Sequence, residues 1–173
     1  MRRITIAFLT LFAVAISPLW VVKADNAHFV RASASINNNG ILSVSWKEAG
    51  LGSNVLITYT AGADGTANYA CFNGGGKHPS ASNKESVAGP VTASGTFSSG
   101  KNGSISASLN VSPPAATLAC PSGQRRVMAY VAYTNVFISD DTTPEREDIP
   151  GSFALCTLSA AERAAAPDLC PAG

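Results

Sequence analysis

Charged side chains are scarce in this chain: of its 173 residues, 13% are charged, 8% are aromatic and two are histidine. So little charge excludes a coiled coil laced by ion pairs and a highly charged disordered tail. Two histidines, His28 and His78, leave little for a Ser-His-Asp site or a zinc centre, and no G-x-S-x-G turn presents a nucleophile. The chain contains no C-x-x-C pair for metal or redox work. Beyond the first two dozen residues no run is apolar enough to span a bilayer, since Val127 to Ile138 is interrupted by Tyr130, Tyr133, Thr134 and Asn135. What is present is abundant Ser, Ala, Gly and Thr in a length that suits one domain with a real core.

Met1 to Arg3 is a short positive stretch, Ile4 to Ile16 is apolar, Ser17 and Pro18 break the run, and Val22-Lys23-Ala24 resembles a cleavage site. The pattern predicts a signal peptide over residues 1–24, with an uncleaved anchor as the competing reading. Cleavage turns a formal net charge of +1 into −2, with nine bases against eleven acids. That balance argues against a nucleic-acid binder working through a basic field.

Cys71, Cys120, Cys156 and Cys170 are an even set in the exported part, which predicts two disulfides in an oxidising compartment. Spacing alone leaves three pairings open. A local argument favours Cys156–Cys170 with Cys71–Cys120. Ser159-Ala160-Ala161-Glu162 is a capping-box pattern stopped by Pro167, and so short a helix needs a staple across it.

The rest reads as hairpins. Val30, Ala32, Ala34 and Ile36 alternate with Arg31, Ser33 and Ser35; Asn39-Gly40 suits a type I′ turn; Leu42, Val44 and Trp46 return. Val55, Ile57 and Tyr59 are followed by a turn at Asp64-Gly65, then Ala67, Tyr69 and Cys71. A third pair runs through Val91, Ala93, Gly95 and Phe97, turns at Asn102-Gly103, and returns through Ile105, Ala107, Leu109 and Val111. In Arg125 to Ser139, Val127, Ala129, Val131 and Tyr133 share one face and Met128, Tyr130, Ala132 and Val136 the other, which predicts a central strand; a shorter one follows near Ser152 to Leu158. The prediction is an all-β, antiparallel, immunoglobulin-like β-sandwich of about eight strands over residues 25–158. A stapled helical tail follows over 159–173, and a small β-barrel is the alternative. Trp46, Tyr59, Tyr69 and Tyr133 fall on inward faces and read as core, and the alternating serines as a solvated sheet face.

Two segments invite a functional reading. Asn73-Gly74-Gly75-Gly76-Lys77-His78-Pro79 fails as a phosphate loop, because Cys71 and His78 stand where glycine and Ser or Thr are needed. It still offers backbone amides and cations to a ligand, so Asn73, Gly75, Gly76, Lys77, His78, Asn83 and Lys84 are the candidate binding residues. Asp140, Asp141, Glu145, Glu147 and Asp148 crowd one loop and are candidate calcium ligands, though without the EF-hand order. Asn102-Gly103-Ser104 and Asn110-Val111-Ser112 match the glycosylation acceptor pattern.

Three blocks resemble a known group: Tyr69-Ala70-Cys71-Phe72-Asn73 with Gly75-Gly76, Pro79, Ala81 and Asn83-Lys84; Cys120-Pro121-Ser122-Gly123-Gln124; and Tyr133-Thr134-Asn135-Val136. Together they look like a set of small secreted bacterial proteins, frequent in actinobacteria and generally described as uncharacterised. The resemblance covers roughly Val30 to Phe153. It implies a secreted, disulfide-linked β domain and supports Cys71–Cys120 as the shared bridge. It carries no catalytic residues across, and the region with Cys156 and Cys170 departs from the pattern.

The expectation is a secreted, non-enzymatic binding module, extracellular or periplasmic according to the host envelope. It would be a monomer without cofactor, inserted in no membrane after cleavage, recognising a glycan, an envelope component or a protein. The alternatives are an extracellular hydrolase acting through His78 and a purely structural surface protein.

Overall fold

The computed structural model describes residues 26–73, 83–143 and 145–171. Among them are eight strands: β1 (His28–Ile36), β2 (Leu42–Ala49), β3 (Leu56–Asn73), β4 (Lys84–Ser98), β5 (Ser104–Val111), β6 (Gln124–Asp140), β7 (Arg146–Ile149) and β8 (Phe153–Cys156). A short helix, α1 (Ala160–Ala165), and a 3-10 turn at Pro167–Leu169 close the chain. Every strand pairing is antiparallel. β1-β2-β5 is one sheet; β4-β3-β6 is the other, its far edge shared end to end by β7 and β8. The two sheets face each other as a sandwich, and among the described residues no barrel closes.

Alternation builds the core, because every second side chain of a strand points to one face. Leu42, Val44 and Trp46 from β2 meet Ile57, Tyr59, Ala61 and Ala67 from β3 and Val131, Tyr133 and Ile138 from β6. Trp46 lies against Tyr59 with ring centroids 4.7 Å apart and edge-on to Phe97 at 5.4 Å. The buried hydroxyls of Tyr69 and Tyr133 donate to the carbonyls of Pro114 and Gly40, each at 2.7 Å. These bonds satisfy polar tips that would be costly to bury alone.

The structure departs from simple alternation at three bulges. In β1, Phe29 pairs with Glu48 and Arg31 with Lys47, so Val30 is an extra residue. Phe29 takes the inward place expected for Val30, which is 53% exposed. In β6, extra residues fall at Asn135–Val136 and at Ala129. The first puts both Tyr133 and Val136 inward, although two-residue counting separates them; Asn135 there adopts φ +51 and donates to Asp64 at 2.7 Å.

The expected turn at Asp64-Gly65 is absent, for both residues lie mid-strand in β3, paired on either side with β4 and β6. Gly65 serves packing, since a Cβ there would meet the Pro114 ring at 3.0 Å. Asn102-Gly103 does not close a hairpin either: β4 pairs with β3 and β5 with β2, so this link crosses between sheets. At Asn39-Gly40 only Gly40 has positive φ, +76, in a loop from Asn37 to Ile41 rather than a type I′ turn.

Disulfides join Cys71 to Cys120 and Cys156 to Cys170. The second holds the tail against the outer face of the larger sheet, where Ala70, Phe72 and Ala129 are fully buried beneath Leu158, Ala166 and Leu169. The capping box forms as read: Ser159 Oγ accepts from the Glu162 amide, and Glu162 Oε2 accepts from the Ser159 amide at 3.0 Å.

Candidate functional site

Outward positions of the smaller sheet align across all three strands. Ser35, Ser43 and Asn110 form one row, Ser33, Ser45 and Ser108 the next, and Arg31, Lys47 and Ser106 a third. Strand geometry spaces the columns by about 4.8 Å and the rows by about 7 Å. Ser33, Ser35, Ser45, Ser106, Ser108 and Asn110 are exposed, while Ser43 and Lys47 are half-buried. None of the six serine side chains hydrogen-bonds to another described residue. A shallow hollow of about 480 Å³ opens here, lined by Arg31, Ser33, Ser45, Trp46, Ser106, Ala107 and Ser108. Each free hydroxyl both donates and accepts, so the face is a flat lattice of two-way hydrogen-bonding groups.

The charges at its end have one sign. Arg31 and Lys47 are cross-strand partners, and neither has an ion-pair partner among the described residues. The strands of this sheet hold one carboxylate, Glu48, and it points into the core. Elsewhere, Lys84 pairs with Asp168 at 2.7 Å, Arg125 with Glu162 at 2.8 Å and Arg146 with Asp148 at 2.8 Å.

Glu48 lies beneath this face with no solvent exposure. Its Oε2 accepts the Tyr59 hydroxyl at 2.6 Å, whereas its Oε1 and the indole Nε1 of Trp46 have no partner among the described residues. Burial pushes the Glu48 carboxyl up to about 7, against the opposing pull of the Tyr59 bond. Burial, with the Glu48 carboxylate beside it, also raises the Tyr59 phenol. The carboxyl is closed off from solvent within the core.

The candidate loop is only partly described. Gly75, Gly76, Lys77 and His78 lie outside the described residues, as does the stretch over 1–24 expected to be a signal peptide. Asn73 ends β3. Asn83 donates to Gln124 Oε1 at 3.1 Å, and Lys84 is held by Asp168 of the tail, so both brace neighbouring elements.

The acidic loop does not gather its carboxylates. Asp140 is fully buried and accepts from the amides of Thr142 and Thr143 at 2.7 and 3.1 Å and from the Thr143 hydroxyl at 2.7 Å. Asp141 turns to Thr60 and Ser139, and Asp148 to Arg146, which also stacks 3.7 Å from the Phe137 ring centre. Glu145 and Glu147 are exposed. Among the described residues no three His, Cys, Asp or Glu side chains are placed to hold a metal ion together. Of the five acids expected to hold calcium, Asp140 instead builds the turn, and Asp141 and Asp148 bond to neighbouring side chains.

The serine face is visible in the sequence as alternation, the pattern of a solvated sheet surface. What the sequence hides is that three separate segments bring these serines, with Arg31 and Lys47, into register. No model of a known protein family matches this chain, and no curated protein matches it.

Proposed function

We propose that this protein is a secreted, non-enzymatic binding module that recognises an extracellular glycan through the outer face of β1, β2 and β5. The observation that carries the reading is the lattice of aligned serine hydroxyls without described partners. A polyhydroxylated chain is the natural complement of such a lattice, because each sugar hydroxyl can donate to one serine and accept from another. The two disulfides suit an oxidising compartment, and among the described residues no helix is long and apolar enough to cross a membrane. A hydrolase acting through His78 and a purely structural surface role have no observation of similar weight behind them.

Affinity electrophoresis through gels cast with soluble polysaccharides tests the proposal. At least one polymer is expected to retard the protein. The combined variant Ser33→Val, Ser45→Val and Ser108→Val removes hydroxyls while keeping good strand formers, and it should weaken that retardation at least tenfold. Retardation by none of the polymers, or full retardation of the variant, rejects the assignment.

A further inference from the structure

The one-sided charge of the same face narrows the class of ligand. Like charges directly opposite each other in an antiparallel pair are unfavourable, yet Arg31 and Lys47 occupy such a pair with no described carboxylate to relieve them. Arg31 keeps the alternation of Ser33 and Ser35 and so stands outward beside Lys47, while the extra residue at Val30 sends Phe29 before it inward. Lys101, in the turn leading into β5, is exposed and adds a third cation at this sheet.

We propose that the glycan bound by the β1-β2-β5 face is an acidic polysaccharide, with its carboxylates on Arg31 and Lys47 and its hydroxyls along the serine rows. This rests on the binding function proposed above and adds the charge of the ligand. A guanidinium matches a carboxylate in two parallel bonds, and an ammonium supplies a point charge beside it. The exposed carboxylates, among them Asp64, Asp141, Glu147, Asp148 and Asp168, lie on the larger sheet, its loops and the tail. The β1-β2-β5 face thus presents cations with no outward carboxylate on its strands, which favours an acidic chain there.

Polygalacturonate and its fully methyl-esterified form share a backbone and differ in charge, so they separate the two readings. The purified protein is expected to bind polygalacturonate at least tenfold more tightly than the ester. Arg31→Gln with Lys47→Gln should erase that preference without lowering the melting temperature. Arg125→Gln with Arg163→Gln, an equal change in net charge elsewhere, should leave the affinity within twofold. Equal binding of both polymers, abolished by the triple valine variant, overturns the acidic-ligand inference and leaves glycan binding standing. Equal weakening by the two double variants reduces the preference to net charge and overturns the inference as well. Binding of neither polymer overturns it, and retardation by no polysaccharide in the electrophoretic panel removes the binding function too.

Discussion

On the outer face of the larger sheet, Thr58 bonds to Thr96 at 3.0 Å and Thr60 to Ser94 at 2.9 Å, and Thr60 also donates to Asp141. Ser33, Ser45 and Ser108 stand in the same cross-strand relation on the smaller sheet and bond to no described residue. Threonine's branched Cβ restricts its rotamers, so two facing hydroxyls meet at little entropic cost. Serine keeps more rotamers open, and a row of serines stays available to an outside partner. The tail strengthens the contrast, because it seals the Phe72 end of the larger sheet and leaves the smaller sheet uncovered. One outer face is finished internally and the other is left to solvent or a ligand.

Substitutions at the two faces break this comparison if their effects are equal. The largest expected effect is Phe72→Ala, which empties the small core under the tail and should cost about 3–5 kcal/mol in urea unfolding. Ser45→Ala on the open face should stay within about 0.5 kcal/mol. A Phe72 variant as stable as the parent would show that the tail does not seal the larger sheet.

Next comes acidity. Folding raises the Glu48 carboxyl from its ordinary 4.5 to about 7, so the folded state favours the neutral form. Stability from this group is full below about pH 4.5 and falls by about 3 kcal/mol as the pH climbs through 7. Glu162 and Asp168 of the tail act in the opposite direction. Hydrogen bonds from Ser159 hold the first below the usual carboxylate range, and the bond from Lys84 does the same for the second, so their contribution fades as the pH falls. Urea midpoints at pH 5 and pH 8 should therefore converge in Glu48→Gln, and an unchanged slope would mean that the buried acid is not the cause. A smaller effect is expected for Thr60→Ala, which forfeits paired hydroxyls and should cost about 1 kcal/mol, still above the change for Ser45→Ala.

Much of this was legible in the chain. Leu42, Val44 and Trp46, then Ile105 and Val111, show their inward faces by alternation alone, and Ser159 with Glu162 announces the capped helix. The misreadings share a cause, which is that turn residues act through their surroundings. Asp64-Gly65 has the composition of a tight turn, but Asn135 and Pro114 make use of it inside a strand. Asn102-Gly103 does reverse the chain, yet its two strands go to different sheets. The candidate binding residues Asn83 and Lys84 read as free because Gln124 and Asp168 are distant in sequence.

Local order was written in the amino acids: which segments are extended, which side chains avoid water, and how the tail is capped. Those properties depend on neighbours one to four residues away. Strand partnership, the three bulges and the gathering of serines from β1, β2 and β5 into one lattice were settled only by the folded chain. Each of them requires a match between groups many residues apart. An added residue such as Val30 breaks the alternation between the residues on either side of it, and no local pattern records that break.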